Sequence, residues 1–188
     1  MPDTGAPGPG ADPAPSGEWV TIDGVGYRRV VLCFLFRDAG RDAGRDGGRQ
    51  VLLGLKRTGF GTGRVVALGG KIDGQETARE AAVREVAEES GIDLVPAEVR
   101  AAGSITWQFP AQPAWNMAAS LFAADAGDAT AVPCEEIEPR WYGVGAIPWQ
   151  DMWQDAPHWI PTLLAGRPVQ ARIVMATDNE GVAVAVVD

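Results

Sequence analysis

The sequence predicts an α+β fold in which a mixed, partly antiparallel sheet is covered by helices. Strand-like segments dominate the chain, and only residues 77–90 and 156–166 have the composition and spacing of helices. This pattern differs from the regular alternation of strands and helices that builds a doubly wound parallel sheet. With 188 residues, 46% of them hydrophobic, the chain suits a single domain with a core of its own.

The strands are predicted from apolar segments bounded by turn residues. A glycine-punctuated stretch, 58–76, separates the second strand from the first helix. Near the end of the chain, residues 172–187 are expected to form a closing hairpin with its turn in the polar middle. The predicted strands before that hairpin cover 27–36, 50–56, 98–109, 115–124 and 137–144.

Two segments are predicted to lie outside the regular fold. Residues 1–17 contain five prolines and four glycines. They bury too little apolar surface to offset the entropy of ordering, so they are expected to be disordered. Residues 37–49 repeat a four-residue unit three times without an apolar face, which predicts a flexible insertion in a hairpin loop. A single domain is therefore expected over residues 18–188.

The first helix is predicted over residues 77–90 from its Ala, Glu and Arg content. Thr77 and Glu80 have the spacing of a capping box, and Gly91 suits the position that ends a helix. The second, shorter helix is expected to end at Gly166.

The composition excludes several kinds of chemistry. One histidine and two distant cysteines, Cys33 and Cys134, provide neither a multi-histidine metal site nor a local zinc knuckle. The formal net charge of −9 argues against binding a nucleic-acid polymer by bulk charge. No secretory signal or membrane span is recognisable, and lone cysteines suggest a reducing compartment. A cytoplasmic protein with no membrane partner is expected.

Three glutamates of the first helix, Glu85, Glu88 and Glu89, share one face because they are three and four residues apart. Like charges at this spacing repel each other, and a metal ion would offset the repulsion. Carboxylate ligands favour Mg²⁺ or Mn²⁺ over Zn²⁺. The Gly69-Gly70 turn would let backbone carbonyls approach the same point. The alternative is a solvated, glutamate-rich helix face.

These residues also form a longer gapped motif. Gly70, Glu76 and the segment Arg84–Ile92 match the Nudix box at every defined position, so the chain resembles the Nudix hydrolases. The resemblance implies an α/β/α sandwich and Mg²⁺-dependent hydrolysis of a nucleoside diphosphate linked to another group. It also implies metal binding by Glu85, Glu88, Glu89 and the Gly69 carbonyl, catalytic work by Glu85 and Glu89, and assistance from Arg84 and Glu76.

A further acidic residue from a later loop often joins the metal site in this family. Glu136 is the best match, as a metal ligand or as a group that orients water, and Glu135 is the second choice. A plain acidic surface loop is the alternative reading of this segment.

The resemblance extends to the Nudix subgroup that hydrolyses oxidised purine nucleoside triphosphates such as 8-oxo-dGTP. It is carried by LLGLKRTGFGTG, by residues 136–142 and by IPWQDMWQDAPHWIPTLL. It implies that Trp153 stacks on the base, that Asp155 bonds to it and that Trp107 lies across the pocket. Lys56 would lie near the pocket entrance. Asn116 and Met117 are candidates for its wall; Trp141, Trp149 and Trp159 are expected to serve mainly in packing.

Two positions depart from this subgroup. Val66 stands where the subgroup has a base-binding asparagine, and Ala156 replaces the second of two adjacent aspartates. A monomeric enzyme is expected that converts oxidised purine nucleoside triphosphates to monophosphate and pyrophosphate. The alternatives are hydrolysis of an unmodified or methylated nucleoside triphosphate, a dinucleoside polyphosphate or ADP-ribose, and a non-catalytic module that senses nucleotides.

Overall fold

The computed structural model describes residues 17–38 and 48–188. The predicted disorder of residues 1–17 therefore falls almost wholly outside the described residues, as does most of the insertion predicted at 37–49. The two strands that flank this insertion are longer than predicted and include Arg37, Asp38 and Arg49.

Ten strands of the described residues form one mixed sheet. Two pairs of neighbouring strands are parallel, β2 with β7 and β6 with β9, and the other pairs are antiparallel. The central order is β10-β9-β6-β7-β2-β3-β4, while β1 and β5 pair with β2, and β8 pairs with β3. The strands are β1 (Trp19–Ile22), β2 (Val25–Asp38), β3 (Arg49–Lys56), β4 (Val65–Val66), β5 (Leu68–Lys71), β6 (Arg100–Gln108), β7 (Met117–Asp125), β8 (Ile137–Gly143), β9 (Val169–Met175) and β10 (Val182–Val187).

Two helices, α1 (Ala78–Ser90) and α2 (Ala156–Leu164), complete the fold. Each packs on its own apolar cluster: Val86 of α1 packs with Val31, Cys33 and Leu35 of β2, and Trp159 of α2 packs with Phe34 of the same strand. Side chains alternate between the two faces of a strand, so the helices cover opposite faces of the sheet. The predicted α/β/α sandwich is confirmed.

The ends of α1 follow the predicted chemistry. Thr77 Oγ1 accepts a hydrogen bond from the Glu80 backbone N–H, and Glu80 Oε2 accepts one from the Thr77 backbone N–H at 2.7 Å. Gly91 ends the helix in the left-handed conformation, with φ at 68°, where a side chain would be strained. Both termini are therefore held, and α1 is a rigid support for the side chains on its surface.

The predicted strands and both helices are present at nearly the predicted bounds. The short strands β1, β4 and β5 were not predicted, and two of them lie in the glycine-punctuated stretch 58–76. No helix in the described part of the chain is long and apolar enough to cross a membrane.

Candidate active site

A cavity of about 790 Å³ opens on the face of the sheet that α2 covers. It lies beside the start of β2 and beside strand β5. Two groups of residues line it. The first, the acidic cluster, consists of Lys56, Arg84, Glu85, Glu88 and Glu136 together with buried Glu89, which bonds to Lys56. The second, the aromatic cluster, consists of Phe60, Trp107, Phe109, Trp115, Trp153, Asp155 and Trp159. The cavity therefore joins charged and aromatic walls.

Strand β5, which pairs with β2 and precedes α1, contains two adjacent glycines, each with a steric reason. A Cβ on Gly69, whose φ is 150°, would collide with the Val31 carbonyl across the strand pair. A Cβ on Gly70 would overlap the carboxylate of Glu85. Gly69 is thus required by the backbone, whereas Gly70 leaves the space that the Glu85 carboxylate occupies.

Glu89 is the most deeply buried acid of the acidic cluster, with 3% of its surface exposed. Its Oε2 accepts a hydrogen bond from the Gly69 backbone N–H at 2.8 Å. Burial raises the pKa of Glu89 to about 7, although the Gly69 N–H and the Lys56 ammonium oppose this rise. A carboxyl group with this pKa can take up and release a proton near neutral pH.

Arg84 connects the other acids of α1. Its guanidinium donates to Glu76 at 2.6 Å, to Glu85 at 2.9 Å and to Glu88 at 3.2 Å. The hydrogen bond to Arg84 lowers the pKa of Glu76. Burial raises the pKa of Glu85 in spite of the arginine. Arg84 also donates to the Lys71 carbonyl at 2.9 Å, so it ties the helix to the end of β5.

Lys56 joins the remaining acids across the cavity. Its Nζ lies 3.3 Å from Glu89 Oε1 and 2.5 Å from Glu136 Oε1. Burial lowers the pKa of Lys56, but the two carboxylates outweigh this effect and raise the pKa overall. Glu136 lines the cavity, whereas exposed Glu135 does not. Glu136, the first choice, and Glu89 thus bond to the same ammonium group.

The donor set fits a hard divalent cation, because carboxylate oxygens of Glu85 and Glu89 lie beside Gly70 and Gly69 of β5. Within residues 17–38 and 48–188, no three acidic, His or Cys side chains converge into a ready-made metal site. Arg84 and Lys56 instead neutralise the carboxylates, and 60% of the Glu88 side chain is exposed.

Asp155 lies in the aromatic wall, where two tryptophans bond to it. Trp107 Nε1 donates to Asp155 Oδ2 at 2.7 Å, and Trp159 Nε1 donates to the same oxygen at 2.8 Å. Burial raises the pKa of Asp155, while the two indole donors oppose the rise. Trp159 is a core residue, in agreement with its predicted packing role. Trp107 packs edge-on against Trp159 and also positions Asp155.

Trp153 stacks on Phe60, with ring centroids 5.2 Å apart and an angle of 17° between the planes. Phe60 also meets Trp115 and Phe109 edge-on. Sequence reasoning missed Phe60, which is the partner of Trp153, and the two rings that meet Phe60 edge-on. One signal was present for Phe60: it stands between Gly59 and Gly61, whose φ values of 76° and 81° form a tight loop.

Of the two candidates for the cavity wall, Asn116 lies outside the lining and Met117 within it. Asn116 does not line the cavity, since its Oδ1 accepts from the Phe109 N–H and its Nδ2 donates to the Gly26 carbonyl. The amide therefore holds the backbone, and the wall position predicted for Asn116 is corrected. Its neighbour Met117 does line the cavity. Trp149 and Trp141 pack against the core, as expected.

Val66 and Ala156 both line the cavity. The two departures from the oxidised-purine subgroup therefore lie in the wall itself. Their side chains offer no hydrogen bonds there.

Comparison with known proteins places this site in a family. The NUDIX domain model matches residues 26–163. The oxidized purine nucleoside triphosphate hydrolase of Mus musculus is 38% identical over 116 residues, which cover 62% of this chain and 72% of that protein. The protein of the same name from Danio rerio is 35% identical, covering 61% and 72%. Among solved structures, the mutator MutT protein from Bacillus halodurans aligns with a TM-score of 0.63 at 21% identity, over 85% of this chain and 97% of that one.

Proposed function

Because this chain belongs to the Nudix family, we propose that it is a metal-dependent hydrolase of oxidised purine nucleoside triphosphates such as 8-oxo-dGTP, releasing the monophosphate and pyrophosphate. One observation carries the proposal: a single cavity joins acids suited to a metal–phosphate complex with aromatic rings suited to a base. The names of the mouse and zebrafish relatives support the substrate class.

Nudix hydrolases generally use divalent metal ions, and Mg²⁺ is proposed here, with Mn²⁺ as the alternative. The carboxylates of Glu85, Glu88, Glu89 and Glu136 and the Gly69 carbonyl would hold it. When bound, such an ion neutralises the phosphate chain and makes a water molecule more acidic. The carboxylates of Glu85, in the space that Gly70 leaves, and of Glu89, beside Gly69, support this assignment.

The protein's own residues supply the proton transfer and the orientation. Glu89 receives the proton of the attacking water, a role that its pKa of about 7 suits. Glu136 is the alternative acceptor. Arg84 positions Glu85 through their 2.9 Å hydrogen bond, and Lys56 places a positive charge between the acids and the substrate phosphates.

The aromatic cluster would hold the base. Trp153 and Phe60 offer flat rings for stacking. Asp155 offers a buried carboxylate to the hydrogen-bonding edge of a purine. Because Val66 and Ala156 remove hydrogen-bonding groups from this wall, an unmodified or methylated purine nucleoside triphosphate is the second candidate substrate.

The proposal also includes the extent of the domain, its oligomeric state and its compartment. The domain is proposed to cover residues 18–188 and to be a monomer. A cytoplasmic location is proposed, consistent with the free thiols of Cys33 and Cys134.

The decisive measurement is pyrophosphate release with Mg²⁺ from 8-oxo-dGTP, 2-oxo-dATP, dGTP, ADP-ribose and a diadenosine polyphosphate. We expect the fastest release from an oxidised purine triphosphate. Glu89→Gln should lower kcat by at least about two orders of magnitude, while the matched control Glu135→Gln keeps full activity.

Nearly full activity of Glu89→Gln would contradict the role of Glu89. Preference for dGTP would favour the second candidate substrate. A folded wild type that hydrolyses none of the five compounds would overturn the enzymatic proposal in favour of a nucleotide sensor.

A further inference from the structure

We propose that Arg28 binds the purine base, donating a hydrogen bond to O6 from the wall opposite Asp155. The inference rests on the proposed function and deepens it, since it identifies a residue that determines base specificity. No motif of the sequence points to Arg28. It becomes visible only when the strands are aligned in the sheet.

The register of three strands places Arg28 in the cavity. Arg28 of β2 is directly opposite Met117 of β7, and Met117 is directly opposite Trp107 of β6. Residues paired in this way point to the same face of a sheet. All three line the cavity. They therefore form a row across its floor, and two strand spacings of about 4.8 Å separate its ends by about 10 Å.

The ends of this row carry opposite hydrogen-bonding groups. At one end, the Trp107 indole holds the Asp155 carboxylate at 2.7 Å. At the other end stands the Arg28 guanidinium. A flat base lying along the row would thus meet an acceptor at one edge and a donor at the other.

The guanidinium of Arg28 is held but not saturated. Its Nη2 pairs with Glu18, and the Trp19 ring lies 5.4 Å from its central carbon. Nε is buried without a hydrogen-bond partner, and Nη1 has none among the described residues. With 28% of its side chain exposed, Arg28 retains donors for a ligand and is oriented by its two neighbours.

Guanine-type bases match this arrangement. N1–H and the 2-amino group of the Watson–Crick edge donate to a carboxylate, and O6, which is also reached from the N7 side of the ring, accepts from arginine. Oxidation at C8 converts N7 from an acceptor to an N–H group but leaves O6 an acceptor. A bond to O6 therefore serves both dGTP and 8-oxo-dGTP. It also restores a hydrogen bond to a pocket in which Val66 supplies none.

The test measures binding of nucleoside monophosphates by calorimetry without metal, so that hydrolysis and phosphate coordination do not contribute. The ligands are 8-oxo-dGMP and the monophosphate of 8-oxo-2-aminopurine deoxyriboside, which keeps the C8 oxygen but lacks O6 and N1–H. The proteins are the wild type, Arg28→Ala, Arg28→Lys and the control Arg172→Ala, which removes an exposed arginine of β9. Circular dichroism and thermal melting verify that each variant folds.

We expect Arg28→Ala to weaken binding of 8-oxo-dGMP at least about tenfold, as for a hydrogen bond from a charged donor. Binding of the 2-aminopurine ligand should change less than about twofold. Arg28→Lys should recover part of the loss, and Arg172→Ala should bind like the wild type.

Equal losses for both ligands, or no loss, would overturn the assignment of Arg28 while leaving the proposed function intact. A wild type that binds 8-oxo-dGMP but hydrolyses no triphosphate would overturn the proposed function alone. If the wild type binds neither monophosphate, the base pocket itself is refuted, and the inference about Arg28 with it.

Discussion

Asp155 shows how one buried carboxylate can serve packing and recognition together. Both indole hydrogen bonds end on Oδ2, so neither tryptophan occupies Oδ1. The carboxylate lies on the cavity wall with only 4% of its surface exposed. A ligand N–H that reaches Oδ1 would meet a carboxyl oxygen in a buried site, where hydrogen bonds are stronger than in water.

Asp155→Asn should therefore impair substrate binding more than chemistry. The amide oxygen can still accept from the two indoles, but an NH₂ group then replaces Oδ1 and opposes the donors of a guanine base. We expect KM for the preferred substrate to rise about tenfold to a hundredfold with kcat within about threefold. Steady-state kinetics checks this, with exposed Asp151→Asn as control. A kcat loss at unchanged KM would contradict it.

Asp155 also predicts how stability depends on pH. Burial raises its pKa in the folded protein, so the folded state binds this proton more tightly than the unfolded chain. The resulting stabilisation is complete below the unfolded pKa of about 4 and is lost as pH rises through the higher folded pKa. Urea unfolding across this range should show a smaller pH dependence for Asp155→Asn than for the wild type. Equal dependence would contradict the assigned shift.

For single residues, the sequence could predict contacts within one helix but not contacts between residues of different elements. Glu85, Glu88 and Arg84 are neighbours on α1 because of helical spacing alone, and Arg84 indeed bonds both acids. Phe60 meets Trp153 only because a loop and a distant segment converge. Arg28 depends on strand register, which residue composition does not reveal.

Among the elements, β5 carries two adjacent glycines with different tasks. Gly69 lets β5 pair closely with β2, while Gly70 makes room for the Glu85 carboxylate. The Val31 backbone cannot move aside for an added Cβ, whereas the end of the Glu85 side chain can. Substitution at the two positions should consequently separate stability from activity.

Gly69→Ala should lower the free energy of unfolding by at least about 2 kcal/mol, because its Cβ meets the Val31 backbone at a conformation that side chains avoid. Gly70→Ala should cost less than about 1 kcal/mol, since the Glu85 carboxylate can move, but should reduce kcat about a hundredfold through its displacement. Urea unfolding and pyrophosphate release measure the two effects. Gly145→Ala is the control, because a Cβ at this position has no neighbour within 4 Å. Equal destabilisation by Gly69→Ala and Gly70→Ala would show that the two glycines do not have different tasks.

Element prediction succeeded where local chemistry decides the structure and failed where pairing decides it. The capping box at Thr77 and the end at Gly91 define α1 locally. β4 consists of only two residues, Val65 and Val66, and exists through its pairing with β3. Likewise β5 forms by pairing with the middle of β2, although LGGK has little strand character of its own.

Over the whole molecule, the sheet separates two cores, and the acidic cluster lies where α1, β3 and β5 meet. The formal charge is −9, and Glu85, Glu88, Glu89 and Glu136 lie in this part of the molecule. Lys56 and Arg84 compensate them only in part. Repulsion between the remaining charges opposes the folded state, and specific cation binding would relieve it.

Divalent metal should therefore stabilise the folded protein in the absence of substrate. At about a hundred times its Kd, a bound ion contributes about 2.7 kcal/mol, which for a chain of this length corresponds to a rise in Tm of about 5–10 °C. Thermal unfolding with MgCl₂ and with NaCl of equal ionic strength separates binding from screening, since screening acts equally in both salts. Glu85→Gln should reduce the magnesium-specific rise by at least half, whereas Glu98→Gln, which changes an exposed acid distant from the cavity, should retain it. An equal rise in both salts, or in both variants, would show that the acidic cluster does not bind the ion.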